Sequence, residues 1–156
     1  MRIVLVRHAE AESPHLQVDS ERALTARGHT QAGETSVWLA SFIDEPLVLA
    51  CSSFRRARET ATRIQQALPQ ASLRIVDHLT PGDDVRQAAA AIEAVSVGGT
   101  LIVVSHMPLI AGLANWLSEG VSGGGQPFGL AEARVYEQEL PGPAQARLVK
   151  RFSPVA

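Results

Sequence analysis

Three short apolar runs, each followed by a segment of helical character, restrict most strongly how this chain can fold. They cover residues 2–6 (RIVLV), 47–51 (LVLAC) and 101–104 (LIVV). Each run is too short for a buried helix, and each is apolar without alternation, as strands are when both faces of a parallel sheet are covered. The pattern therefore predicts an α/β fold of three layers (α/β/α), in which a mostly parallel central sheet carries helices on both faces.

The other segments fit the same plan. The predicted helices are one after Thr25 as N-cap, one capped by Ser52 or Ser53, one ended by Gly98-Gly99, and one from Pro108 to about Ser118. Further strands are predicted at 73–76, 131–139 and 146–152, and the glycine-rich segment 120–129 is predicted to be a flexible loop. Because no linker divides the 156 residues, we expect one domain over 1–156.

The composition argues against several classes of protein. Hydrophobic residues make up 46% of the chain and the net charge is −2, which disfavours disorder and disfavours a nucleic acid or an anionic membrane as the main partner. The one cysteine, Cys51, can form neither an intrachain disulfide nor a cysteine-based metal cluster. We see no signal peptide and no apolar stretch of the roughly 20 residues that span a membrane, so we expect a cytoplasmic protein.

Polar residues directly follow three of the predicted strands. The predicted strand 2–6 leads into Arg7-His8, the strand 47–51 into the segment 52–56 (SSFRR), and the strand 101–104 into Ser105-His106. Ligands of open α/β sheets bind at the carboxyl ends of the strands. Two histidines and several arginines should therefore meet at one edge of the sheet.

The arginines at the start of the second helix indicate what binds at that edge. Arg55, Arg56 and Arg58 fall in the predicted first turn, where the helix dipole disfavours cations. A bound anion reverses this preference, since backbone N–H groups and guanidinium groups then act on it together. We expect Arg56 to bind a phosphate or another oxyanion, and Arg55, Arg58 and Arg63 to lie on a solvated face.

Four ordered motifs give the chain a resemblance to a known family. They are Arg7-His8, Leu24-Thr25-x-x-Gly28-x-x-Gln31-Ala32, Ser52-x-x-x-Arg56-Ala57-x-x-Thr60 and Ser105-His106. In this order, between residues 2 and about 117, the chain resembles the histidine phosphatase (phosphoglycerate mutase-like) superfamily. The short length and the segments 79–83 (LTPGD) and 105–109 (SHMPL) look most like the SixA-type phosphohistidine phosphatases. Ala9 is a departure, because the mutases have glycine after Arg-His.

The resemblance implies a phosphatase that needs no metal and no other cofactor. The family's nucleophile matches His8, which would attack phosphorus and carry the phosphoryl group as phosphohistidine. Arg7, Arg56 and His106 match the groups that hold the phosphate oxygens, and Arg22 could reach the same phosphate. No metal-ligand motif appears in the sequence.

The expected substrate is phosphohistidine on a protein, such as a phosphotransfer domain. A phosphate monoester leaves as a poor alkoxide and needs a placed general acid, whereas the leaving nitrogen of a phosphorylated imidazole protonates easily. Among the acidic residues between Arg56 and His106, Asp83 or Asp84 is best placed as a possible proton donor. The short chain also leaves little to cover the site, which suits a side chain presented from outside.

Two alternatives stay open. One is a small-molecule phosphomonoesterase of the same fold, with the 120–129 loop closing over the substrate. Loss of monoester turnover in Asp83→Asn or Asp84→Asn would favour it. The other is a phosphate-recognition module without turnover, although pure binding needs no nucleophile such as His8.

Overall fold

A six-stranded sheet with four α-helices is formed by residues 1–15 and 17–156, which are the residues that the computed structural model describes. The strands are β1 (Arg2–Arg7), β2 (Leu47–Cys51), β3 (Ala71–Ile75), β4 (Thr100–Ser105), β5 (Ala133–Glu137) and β6 (Arg147–Phe152). The helices are α1 (Ala26–Ala40), α2 (Arg55–Ala67), α3 (Val85–Val95) and α4 (Leu109–Glu119), and a short 3-10 turn covers Asp19–Glu21. In this described part of the chain, no helix is long and apolar enough to cross a membrane.

The order of the strands brings three carboxyl ends together. The sheet order is β3-β2-β4-β1-β5-β6, with β1 to β4 parallel, β5 antiparallel to β1 and β6 antiparallel to β5. In register, Arg7 pairs with Ser105, and Cys51 pairs with Val104. The residues that follow β1, β2 and β4 therefore emerge side by side. The prediction of a mostly parallel sheet is confirmed.

Alternate side chains of the central strands face two separate layers of helices. Ile3 and Leu5 of β1 pack in a cluster with residues of α3 and α4. Val4 and Val6 pack in a second cluster, with residues of α1 and α2. Burial on both faces is the reason that β1 is a continuous apolar run. The predicted three-layer α/β/α arrangement is confirmed.

The start of α1 follows the prediction, and the start of α2 does not. Thr25 is the N-cap of α1, and its hydroxyl accepts the N–H of Gly28 at 2.9 Å. The N-cap of α2 is Phe54, and no side-chain hydrogen bond caps this helix. The prediction that Ser52 or Ser53 caps α2 is therefore wrong, and the hydroxyl of Ser52 is used elsewhere.

The ends of some helices and strands differ from the predicted ends, mainly where the chain reverses direction. α3 ends at Val95, so Gly98 and Gly99 lie in the turn after the helix, both with positive φ, rather than at its end. β3 lies at 71–75 rather than 73–76, and β5 lies at 133–137 rather than 131–139.

The glycine-rich loop 120–129 is held against α4 and β5. The guanidinium of Arg134 donates to the carbonyl oxygens of Gln126 and Pro127 at 3.1 and 2.7 Å. Gly125 has a φ of 84° and lies so close to α4 that a Cβ there would be 2.5 Å from the carbonyl oxygen of Ala111. These contacts hold residues 125–127 against α4 and β5, and the predicted flexibility of the loop stays a prediction.

Candidate active site

A cleft of about 420 Å³ lies at the carboxyl ends of β1 and β4, beside the start of α2. The first strand delivers Arg7 and His8, the start of α2 delivers Arg56, and the segment after β4 delivers His106. The cleft is lined by Arg7, His8, Glu10, Ala11, Asp19, Arg22, Arg56, Pro81, His106, Met107 and Leu130. The structure therefore brings together the predicted nucleophile and all the predicted phosphate-binding residues.

The imidazole of His8 is oriented through both ring nitrogens. Nδ1 lies 2.8 Å from the carbonyl oxygen of Ala9, which can only accept, so Nδ1 carries the proton. Nε2 keeps its lone pair and accepts a hydrogen bond from Arg56 Nε at 3.3 Å. Nε2 is therefore the ring nitrogen with a lone pair available for attack, and it faces the guanidinium expected to hold phosphate.

Burial keeps His8 in the form that can attack. The residue is 7% exposed, and burial is the main cause that lowers its pKa from 6.5 to about 4. The positive charges of Arg56, Arg7 and Arg22 also lower the pKa, against the opposing effect of the hydrogen bond to Ala9. The imidazole is therefore neutral at neutral pH, as nucleophilic attack requires.

We expect the imidazole of His8 to titrate near pH 4 rather than near pH 6.5, which NMR of the ring can measure. Between these two pH values the unfolded chain takes up a proton that the folded chain does not. Lowering the pH through this window should therefore decrease the free energy of unfolding, by up to about 1.4 kcal/mol per pH unit from this group. A ring that titrates near pH 6.5 would contradict the effect assigned to burial.

Ser52 holds the second histidine of the cleft. His106 Nε2 lies 2.7 Å from Ser52 Oγ, and the same oxygen accepts the N–H of Phe54 at 3.2 Å. When the hydroxyl of Ser52 donates to His106 Nε2, the proton of the neutral imidazole is on Nδ1. Burial, followed by the charges of His8 and Arg56, lowers the pKa of His106 to about 2 and keeps it neutral.

The other ring nitrogen of His106 is free to meet a ligand. Nδ1 is buried and has no hydrogen-bond partner among the residues that the structure describes. Buried polar atoms in proteins are nearly always paired, so an unpaired ring nitrogen beside the cleft calls for a partner from outside the chain. A phosphate oxygen would fit this requirement.

Three guanidinium groups line the cleft with the histidines. Arg56 is 3% exposed, and its Nη1 donates to the carbonyl oxygen of Asp19 at 2.7 Å. Arg7 Nη1 donates to the carbonyl oxygen of Phe128 at 2.8 Å, which ties it to the 120–129 loop. Arg22 Nη2 lies 2.9 Å from Asp19 Oδ1. Because each side chain is anchored, the remaining N–H groups are pre-positioned for an oxyanion.

Motif residues also support the backbone next to His8. The N–H of Ala9 donates to Thr60 Oγ1 at 3.1 Å. A Cβ at position 28 would lie 2.1 Å from the carbonyl oxygen of Glu10, so Gly28 allows α1 to approach this segment. Two of the four motifs thus act on the main chain that follows His8.

Asp83 and Asp84 do not line the cleft. Asp83 Oδ2 accepts the hydroxyl and the N–H of Thr80 at 2.7 and 2.8 Å, and these bonds lower the pKa of the carboxyl. Asp84 is the N-cap of α3 and accepts the N–H of Gln87 at 3.1 Å. Asp83 is thus engaged in the turn before α3 and Asp84 at the start of α3, and the role of either as a proton donor stays a prediction.

Two side chains that bond to the predicted site residues were not assigned to the site from the sequence. The carboxylate of Asp19 lines the cleft and pairs with Arg22 and Arg56. The available signal was its spacing of three residues from Arg22, which allows both to lie on one turn. Ser52 was predicted only as a cap and as part of a motif, whereas it bonds to His106.

The family of this chain follows from a comparison of its sequence with family models. The model of the histidine phosphatase superfamily (branch 1) matches residues 3–80. The chain belongs to the histidine phosphatase superfamily. It is therefore a hydrolytic phosphatase, which sets aside the alternative of a recognition module without turnover.

Solved structures extend this likeness over the whole chain. The protein histidine phosphatase SixA complexed with tungstate has a TM-score of 0.80 and 24% identity, covering 99% of this chain and 97% of that one. A Nakamurella multipartitia protein, provisionally described as a phosphohistidine phosphatase SixA, has a TM-score of 0.80 and 27% identity, covering 99% and 96%. The alpha-ribazole phosphatase from Shigella flexneri has a TM-score of 0.73 and 18% identity, covering 96% and 95%. The predicted resemblance and the phosphoglycerate mutase-like fold are confirmed.

Proposed function

We propose that this histidine phosphatase acts through a covalent phosphoryl intermediate on His8. His8 Nε2 attacks phosphorus and forms a P–N bond while the bond to the leaving group breaks, and water then releases phosphate from His8. One observation carries the proposal: a buried His8, neutral because its pKa is about 4, directs Nε2 toward Arg56 at 3.3 Å inside an arginine-lined cleft.

Fixed cations supply the charge that this chemistry needs. Arg7, Arg22 and Arg56 line the cleft where the non-bridging oxygens lie, and His106 Nδ1 adds a neutral donor. Charge on these oxygens in the transition state is stabilised by such preorganised groups. We propose that the three arginines take the place of a metal ion. Among residues 1–15 and 17–156, no cluster of three or more histidine, cysteine or acidic side chains could hold one.

The proposed substrate is phosphohistidine on a protein. Of the two acidic side chains that line the cleft, Glu10 accepts the hydroxyl of Thr25 at 2.8 Å, and Asp19 pairs with two arginines. Asp19, whose pKa the two arginines lower, is a poor acid for an alkoxide, whereas the imidazole of phosphohistidine takes up a proton on its other ring nitrogen near neutral pH and leaves as a neutral molecule. The likeness to SixA, a protein histidine phosphatase, supports the same substrate class.

The test compares phosphate release from a histidine-phosphorylated phosphotransfer domain with release from a panel of phosphate monoesters, both with EDTA present. We expect release from the phosphotransfer domain, with a kcat/KM well above that of every monoester. Faster release from one monoester would overturn the proposed substrate and keep the site chemistry. Loss of activity in EDTA that an added divalent cation restores would overturn the metal-independent mechanism.

A further inference from the structure

A carboxylate lies within the group of arginines proposed to bind phosphate. Asp19 Oδ1 is 2.9 Å from Arg22 Nη2, and Asp19 Oδ2 is 3.4 Å from Arg56 Nη2. Burial raises the pKa of Asp19, but the charges of Arg56 and Arg22 outweigh it and lower that pKa. The carboxylate is therefore ionised at neutral pH, and it competes with phosphate oxygens for two of the three guanidinium groups.

The direction of attack explains why a negative charge is useful there. Displacement at phosphorus is roughly in line, so the leaving group lies on the side of the phosphorus opposite the attacking atom. His8 is 7% exposed, at the floor of the cleft, whereas the side chain of Asp19 is 55% exposed, at its rim. The leaving group of a substrate attacked by His8 would therefore point toward the open side of the cleft, where Asp19 is the exposed lining carboxylate.

We propose that Asp19 determines specificity by favouring, as the leaving group, an imidazole that carries an N–H on its other ring nitrogen over an alkoxide. This inference rests on the proposed phosphohistidine substrate. As His8 Nε2 bonds to phosphorus, the P–N bond of the substrate breaks and its electron pair goes to the substrate's imidazole. When the other ring nitrogen carries a proton, the imidazole leaves as a neutral molecule, and Asp19 accepts the hydrogen bond from that N–H.

The same carboxylate acts against a phosphate monoester. The leaving oxygen of a monoester gains negative charge in the transition state, and a nearby carboxylate repels that charge. Asp19 thus has opposite effects on the two classes of substrate. This difference separates a role in specificity from a structural role, which would affect both classes alike.

The test measures kcat/KM for the wild-type chain and for Asp19→Asn with two small substrates, phosphoimidazole and phenyl phosphate. Asparagine keeps the size of the side chain and one oxygen acceptor, and it removes the charge. We expect kcat/KM to fall about tenfold for phosphoimidazole, as for a lost charge-assisted hydrogen bond, and to stay level or rise for phenyl phosphate. Glu21→Gln is the matched control. Glu21 is an exposed acid of the same turn that lies outside the cleft, and its variant should change neither value.

Each other outcome has a definite meaning. A change by the same factor with both substrates would overturn the inference, since Asp19 would then be a structural residue or a simple competitor of phosphate. Turnover of phenyl phosphate by the wild-type chain, with none of phosphoimidazole, would overturn the proposed function and the inference with it. Turnover of phenyl phosphate by Asp19→Asn also shows that the variant is folded.

Discussion

Replacing His8 with alanine is expected to lower the release of phosphate from phosphohistidine at least about 1000-fold, because the variant has no atom to accept the phosphoryl group. Binding of inorganic phosphate should change little, since Arg7, Arg56 and His106 still line the cleft. Steady-state kinetics measures the first effect, and isothermal titration calorimetry with inorganic phosphate measures the second. The two results together distinguish a nucleophile from a binding group.

The matched control for this variant is His29→Ala. His29 is exposed on α1 and lies outside the cleft, so its removal should leave turnover at the wild-type level. Full turnover in His8→Ala would contradict the mechanism. Equal losses of turnover and of phosphate binding, in a variant that unfolds at the wild-type temperature, would assign His8 to binding instead.

Arg56→Ala is expected to weaken phosphate binding and to lower kcat by about 100-fold to 1000-fold, the usual cost of removing a group that stabilises transition-state charge. Arg56 is 3% exposed, and its guanidinium contacts both His8 Nε2 and the main chain of Asp19. The variant should also raise the pKa of His8 above about 4, because Arg56 is one of the charges that lower it. Kinetics, calorimetry with inorganic phosphate and NMR titration of the His8 ring test these three effects.

Arg55→Ala provides the control for charge at the same helix end. Arg55 is the next residue in the sequence and pairs with Glu59 at 3.1 Å on the exposed surface, outside the cleft. Its loss removes one positive charge without removing a group from the site, so turnover and phosphate binding should change little. A loss as large as that of Arg56→Ala would show that general charge, and not a placed guanidinium, accounts for the effect.

The parallel centre of the fold could be predicted because its strands are buried on both faces. β1, β2 and β4 are apolar runs without alternation, and the structure buries every residue of β2 and β4. The order of the strands could not be predicted, since no local pattern states that β4 lies between β1 and β2. The convergence of Arg7-His8 with His106 nevertheless follows from the general rule that parallel strands release their ligand-binding residues at one edge.

The parts of the site that were missed depend on contacts between distant segments. Ser52 meets His106 across 54 positions of sequence, and Asp19 meets Arg56 across 37. No spacing rule connects such pairs before the fold is known. The different placement of Asp83 and Asp84 has a local cause, because an acid three residues after Thr80 suits a turn and an acid before an apolar helix suits an N-cap.

Transfer of the phosphoryl group to His8 is tested most directly by rapid quenching of the enzyme during turnover of a histidine-phosphorylated phosphotransfer domain. Trypsin then releases a peptide of residues 8–22, in which fragment spectra must distinguish His8 from His15. The mechanism predicts an acid-labile phosphoryl group on His8. Its rates of formation and of hydrolysis should both be at least as high as the rate at which substrate is consumed. Consumption of substrate with no phosphorylated enzyme at any time, or with the phosphoryl group on another residue, would contradict it.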